Sequence, residues 1–182
     1  MAVMSQTELF SQVVDIPQPG RYLISPEHSS AVIRTRHLFG LGAVRAALDL
    51  RDGRIEVTDP ARSSAVQARF AVPSFQSGTA ARDAAVLSSR LLDAEAFPTI
   101  SFVSTEVTRA DHTWTLRGEL EVRGVTRPAE ARITALHADG ATFRASAEAV
   151  IDRYDFGITA YRGLAARKLT VELTIVAQRE RS

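Results

Sequence analysis

From Gly20 onward, apolar and polar residues alternate at a two-residue period over most of the chain. That period belongs to strands with one buried and one solvated face. It predicts strands at 21–25, 29–37, 44–50, 54–58 and 65–72, and then at 99–108, 113–122, 129–136, 142–151 and 168–177. Asp52-Gly53 reads as a hairpin turn between the third and fourth of these, Asp139-Gly140 as another, and Arg109–His112 as a third. Strands about ten residues apart and joined by turns make an antiparallel sandwich or barrel, not βαβ units.

One stretch departs from this rhythm. Arg82 to Ser104 reads as a short helix that stops at Phe97-Pro98 and runs into a strand. Ala80, Ala84, Leu87 and Leu91 fall on one face at a 3.6-residue period, with Thr79 as the N-cap and Asp93 capping a further turn. A proline disfavours the α region for the residue before it, which accounts for the stop. A lone helix in a β chain covers an edge or an open end of the sheet. Residues 5–14 predict a second, short helix, cut off from the rest by Pro17, Pro19 and Gly20. The chain thus divides into an arm, 1–19, and one β-domain, 20–179.

The inward faces follow from the alternation. They hold Ala31, Ile33, Thr35 and His37; Val44, Ala46, Leu48 and Leu50; Val66, Ala68, Phe70 and Val72; and Ile100, Phe102 and Ser104. Trp114, Leu116, Gly118, Leu120 and Val122 continue the set, as do Ala129, Ala131 and Ile133, then Phe143, Ala145 and Ala147, and last Leu169, Val171, Leu173 and Ile175. The set is apolar and rich in alanine and glycine. A barrel of eight strands has an interior that is either just filled or just wide enough for one small ligand. The pattern alone leaves both open: Phe70, Phe102, Trp114 and Phe143 fill the space beside the alanines, or the alanines border a pocket.

Composition narrows the chemistry. With 45% hydrophobic and 24% charged residues the chain is an ordinary globular domain. Its 22 basic and 21 acidic residues are dispersed without a basic stripe, which argues against nucleic acid as a partner. The absence of cysteine excludes disulfides, thiolate metal sites and cysteine nucleophiles. No apolar run reaches the roughly 20 residues of a membrane span. Without a basic n-region before an apolar core, the N-terminus is not a secretory signal, so the expected location is cytoplasmic.

His28, His37, His112 and His137 show no metal-ligand spacing, and no GxSxG elbow is present. Gly40-Leu41-Gly42 lacks the strand and helix that a phosphate loop needs. His37 reads either as a core histidine bonded to backbone or as a contact to a ligand head group. In IDRYDFG, Asp152, Arg153 and Asp155 read as fixing the turn after a strand by hydrogen bonds and ion pairing rather than as an acid–base pair. Asp83 in the first helical turn is explained by the helix dipole. No catalytic residue, metal or cofactor is expected.

Four blocks then carry a resemblance: GRYLISPEHSSAVIRTRHL, RDAAVLSSRLLDAEAFPTISFVST, GELEVRGVTRPAEARI and IDRYDFGI. In this order and at this spacing, from about Gly20 to Gln178, the chain resembles the YceI-like, polyisoprenoid-binding proteins. The resemblance implies an all-β fold, an extended lipocalin-like, eight-stranded antiparallel β-barrel with a short helical insertion. It implies a lumen that binds, sequesters or transports an amphiphile with a long isoprenoid-type chain, without catalysis, and in several members a homodimer. The lumen would be lined by Ala31, Ile33, Thr35, His37, Ala46, Leu48, Ala68, Phe70, Phe102, Trp114, Leu116, Phe143 and Ala145, with His37 or Arg82 at a head group. The contrasting reading is a stress-response or interaction module whose barrel is filled by its own side chains. Ser25 replaces the aspartate usual in the family's opening motif, and Ile33, Thr35, Ala46 and Leu48 replace its usual wall residues, so this lumen wall differs from the family's.

Overall fold

A computed structural model describes residues 16–37 and 42–181, with the backbone alone described at Arg36 and His37. The helix predicted at residues 5–14 lies outside the described residues, as does most of the arm. Strands β1 (Gly20–Ile24), β2 (Ser30–His37), β3 (Gly42–Leu48), β4 (Leu50–Val57) and β5 (Ala65–Ala71) precede helix α1 (Ala80–Leu87). After it come β6 (Thr99–Ala110), β7 (Thr113–Val122), β8 (Val125–Asp139), β9 (Thr142–Asp152) and β10 (Lys168–Arg179).

These ten segments make eight staves. β1 and β2 lie along the same side of β10, β1 opposite Ala177–Arg179 and β2 opposite Thr170–Thr174, with a short 3₁₀ turn at Pro26–His28 between them. β3 and β4 likewise form one strand bent at Asp49, with β3 pairing β2 and β4 pairing β1. From β4 the ladder runs antiparallel through β5, β6, β7, β8 and β9 to β10, which returns to β1. The result is a closed, antiparallel, eight-strand barrel with one α-helix among the described residues. Closure leaves almost no strand edge open.

The hairpin predicted at Asp52-Gly53 is not there. Both residues lie inside β4, opposite Arg69 and Ala68, where the register slips between Leu50 and Asp52. A Cβ on Gly53 would stand 2.6 Å from Cδ1 of Ile24 and 2.9 Å from the Gln67 carbonyl, so this glycine permits close approach of neighbours rather than a turn. The segments on either side of Asp52-Gly53 belong to one strand and have no reason to pair. At the other end, Asp111 and His112 (φ 46° and 66°) make the predicted β6–β7 turn. Arg123 and Gly124 (φ 53° and 71°) make a second such turn that the pattern did not reveal, and β8 therefore starts at Val125 rather than at 129. Pro128 sits in the stretch of β8 that β9 does not reach, the edge position that proline tolerates.

Helix α1 is shorter than predicted. It ends at Leu87, and turns occupy the path to Thr99. The amides of Leu92 and Ala94 cap it by donating to the carbonyls of Val86 and Leu87 at 2.9 Å. Of the predicted face, Ala80 and Ala84 are exposed while Leu87 and Leu91 pack on the barrel; Val86 joins Leu87 there, and Leu91 follows outside the helix. Thr79 occupies the N-cap position without a side-chain capping bond. Asp83 instead accepts the Ser77 amide at 2.8 Å. Arg123 anchors the insertion to the barrel by donating to the carbonyls of Leu91 (3.2 Å) and Ser89 (2.7 Å).

Two apolar clusters make up the buried core among the described residues. One gathers around Tyr22, whose ring meets Phe143 edge-on at 5.0 Å and whose hydroxyl donates to the Gln18 carbonyl. The other joins Val122, Phe156 and Ile158 to Leu91 and Leu92 of the insertion. Gly118 of β7 stands opposite Ser104, next to a bulge in β6, where a Cβ would collide with the Val103 carbonyl and lie 2.7 Å from the Phe102 ring. We expect Gly118→Ala to lower unfolding free energy by about 1–3 kcal/mol, measured by urea denaturation. An unchanged midpoint would show that β6 and β7 can separate at this point without cost.

Candidate functional site

The barrel encloses a cavity of about 760 Å³. Twelve of the thirteen residues predicted to line a lumen lie on its wall: Ala31, Ile33, Thr35, Ala46, Leu48, Ala68, Phe70, Phe102, Trp114, Leu116, Phe143 and Ala145. The thirteenth, His37, has a side chain outside the described residues. The four large aromatic residues border the space without filling it. Leu50 and Val72, also expected inward, are buried but do not reach the cavity.

The space exists because of how the small residues are aligned. Ala131 pairs with Ala149, Ile133 with Ala147, and Leu136 with Ala145; on the other side of β9 the same alanines meet Val171, Leu173 and Ile175. A wall of methyl groups therefore runs along β9. Strand spacing in a closed sheet is fixed by hydrogen bonds, so the wall cannot move inward to close the gap. Bulges between Ser104 and Glu106 and between Ile133 and Ala135 each shift the alternation by one residue. They bring Val107 and Leu136 onto the wall, positions that strict alternation misses.

Polar side chains touch this cavity at few places. Thr35 of β2, Ser64 before β5 and Arg82 of the helix are on its lining, as is Glu130 of β8, whose exposed side chain pairs outward with Arg117. The Arg82 guanidinium donates to the hydroxyls of Ser77 (3.3 Å) and Thr79 (3.4 Å), so it braces the start of α1. The remaining two, Arg153 and Tyr161, belong to the connection between β9 and β10.

Arg153 is the hub of that connection. It is 6% exposed, and its guanidinium donates to four carbonyls: Ala166 from Nε (2.8 Å), Ile158 and Ala160 from Nη1 (2.7 and 2.8 Å), and Ala165 from Nη2 (3.2 Å). Burial lowers its pKa from the usual arginine value, an effect that Tyr154 and Asp152 oppose. An arginine nonetheless remains charged. Neither aspartate of the motif bonds to it. Asp152 accepts the Tyr154 amide (3.0 Å) and pairs with Arg167 (2.7 Å), while Asp155 is exposed. The motif thus fixes a turn, and backbone carbonyls carry most of that work.

The turn that Arg153 holds places Tyr161 at φ 58°, a left-handed conformation costing an aromatic residue about 1–3 kcal/mol unless its surroundings impose it. The amides of Leu164 and Ala165 close the turn by donating to the Tyr161 carbonyl at 3.1 and 2.9 Å. Tyr161 and Leu164 line the cavity, yet they are 37% and 56% exposed. Apolar residues that meet both the cavity and solvent mark a mouth, beside this turn. Sequence reasoning missed Tyr161 and Leu164 because ITAYRGLAAR shows neither period.

No group of three His, Asp or Glu side chains among the described residues could hold a metal ion. Among the described residues, no helix is long and apolar enough to cross a membrane.

A closed antiparallel barrel with an apolar lumen and a helical insertion defines the class. The model of the YceI-like domain matches residues 22–178, and the chain belongs to that family. Among solved structures it is similar to Burkholderia cenocepacia BcnA, with a TM-score of 0.75 and 17% identity over 85% of this chain and 99% of that one. A polyisoprenoid binding domain from Saccharophagus degradans, implicated in plant cell wall breakdown, aligns with a TM-score of 0.66 and 9% identity over 87% and 98%. The Campylobacter jejuni YCEI protein aligns with a TM-score of 0.57 and 18% identity over 71% and 81%. At these identities the similarity speaks for the fold. No curated protein matches the chain in sequence.

Arg153→Lys keeps the charge but cannot reach four acceptors. We expect it to lose about 2–4 kcal/mol of stability and to speed hydrogen exchange at the Leu164 and Ala165 amides, whereas Asp155→Asn should change neither. Equal exchange in Arg153→Lys and the unaltered protein would show that the turn holds itself.

Proposed function

We propose that this protein is a non-enzymatic carrier that holds the apolar chain of one amphiphile inside its barrel and shields it from water. The observation that carries this reading is the cavity of about 760 Å³ with its almost wholly apolar wall. Its size is within the usual range of ligand sites. Membership of the YceI-like family and the likeness to a domain described as polyisoprenoid-binding support an isoprenoid chain as the occupant.

Each methylene buried contributes ~0.8 kcal/mol, so a long chain binds well without a dense set of polar contacts. A wall of this kind distinguishes ligands by length and width. Neighbouring homologues differ by only about 1–3 kcal/mol per methylene in an apolar site. The few polar groups on the wall, including Arg82 and Tyr161, would then orient the ligand's end rather than supply its affinity.

The direct test is mass spectrometry of an organic extract of protein purified without detergent from its own host. A stoichiometric lipid is the expected result. An empty extract, together with no uptake of any prenyl lipid added in detergent, would sink the carrier reading in favour of an interaction module. Ala147 lies on the wall of methyl groups and is partly accessible from within. Ala147→Phe should leave the melting curve nearly unchanged while lowering affinity for a fluorescent prenyl probe by roughly tenfold, equivalent to about 1.4 kcal/mol. Unaltered affinity would mean that the ligand sits elsewhere.

A further inference from the structure

The connection from β9 to β10 combines features that a container for an apolar chain does not itself need. Tyr161 and Leu164 are exposed at the cavity mouth. Arg162 lies next to Tyr161 in the chain, exposed, its guanidinium 5.1 Å from the centre of the Tyr154 ring. Arg153 and Arg167 stand 5.0 Å from the same ring, and Lys168 opens β10 just beyond. Residues 152–168 carry four basic side chains against two acidic ones, while the whole chain has a net charge of only +1. Of the two acids, Asp152 is largely covered and already paired with Arg167. The chain's sole lysine lies in this segment.

We propose that the turn from Ile158 to Arg167 docks on an anionic membrane surface, and that the cavity fills and empties through the adjacent mouth while it is docked. The inference rests on the reading of the cavity as a site for an apolar chain. An apolar chain that leaves a bilayer through water exposes every methylene on the way; transfer from a mouth in contact with the bilayer avoids this. Such a mouth needs apolar side chains that enter the headgroup region and cations that meet anionic lipid. Tyrosine is suited to that boundary, with a ring for the apolar side and a hydroxyl for the wet side. Arg162 and Lys168 supply charge not already committed to a carboxylate among the described residues. Arg153 holds the turn from beneath through four carbonyls, so the apolar pair is presented on a fixed backbone rather than on a loop that must first be ordered.

The experiment uses the full chain with vesicles of phosphatidylcholine alone and of phosphatidylcholine mixed with phosphatidylglycerol. The expected result is sedimentation with the mixed vesicles, weaker binding to phosphatidylcholine alone, and loss of the difference at high salt. Neutralising each exposed cation should weaken binding to mixed vesicles roughly fivefold, so Arg162→Glu combined with Lys168→Glu should weaken it by roughly twentyfold or more. Neither residue lines the cavity. The double variant should therefore take up a fluorescent prenyl probe from detergent as the unaltered protein does, but extract it from mixed vesicles more slowly by a similar factor. No sedimentation of the unaltered protein with mixed vesicles, or equal binding by the double variant, would overturn the proposal and leave the turn as a surface for a protein partner. Loss of probe uptake from detergent by the unaltered protein would instead refute the carrier reading, with the vesicle measurement still deciding the docking.

Discussion

Closure of the sheet is the constraint on which everything else here depends. Once β10 bonds to β9 on one side and to β1 and β2 on the other, the number of staves and the strand spacing set the circumference. Side chains must then fill whatever interior results. Along β9 they are mostly alanines, and in an open sandwich the opposing sheet could settle onto them. A closed ladder cannot contract without breaking hydrogen bonds, so the deficit in side-chain volume is retained as a cavity.

The bends make that closure feasible. β1 with β2 and β3 with β4 are continuous strands interrupted by Pro26–His28 and by Asp49. The two halves of each thus keep the same neighbouring stave on both sides of the break, β1 and β2 along β10, and β4 and β3 along β1 and β2. The insertion between β5 and β6 covers the end where β9 passes into the Arg153 turn, held by Arg123 and by the contacts of Leu91 and Leu92 with Phe156 and Ile158. The buried cation and the insertion therefore share one rim. A guanidinium satisfied by backbone carbonyls permits a sharply folded turn there without a carboxylate in the apolar lumen, where an unpaired acid would be costly.

Much of the site was legible in the chain before any fold was known. The alternation in β2, β3, β5, β7, β9 and β10 assigned the inward residues because every strand has one face towards the lumen and one towards water. Val107 and Leu136 escaped because bulges shift the parity, and a bulge depends on the partner strand. Asp52-Gly53 misled for a related reason: a turn dipeptide marks a hairpin only if the strands beside it pair, and here β4 runs straight through it. Leu91 kept the helical spacing but lost the helix, since the amides of Leu92 and Ala94 found the last carbonyls of α1 first.

By itself the sequence determined that the protein is an antiparallel β-domain with one helical insertion, which strand faces are apolar, and that these faces are rich in alanine. Those are local properties, carried by the period of two and by the types of residue at each position. It did not determine whether the alanines adjoin large neighbours or empty space, because that depends on which strands lie side by side and how far the closed sheet holds them apart. Nor did it place Tyr161 and Leu164 at the mouth, which required Arg153 to gather carbonyls from residues five to thirteen positions away. The cavity and its rim are properties of the closed ladder, and no window of sequence contains it.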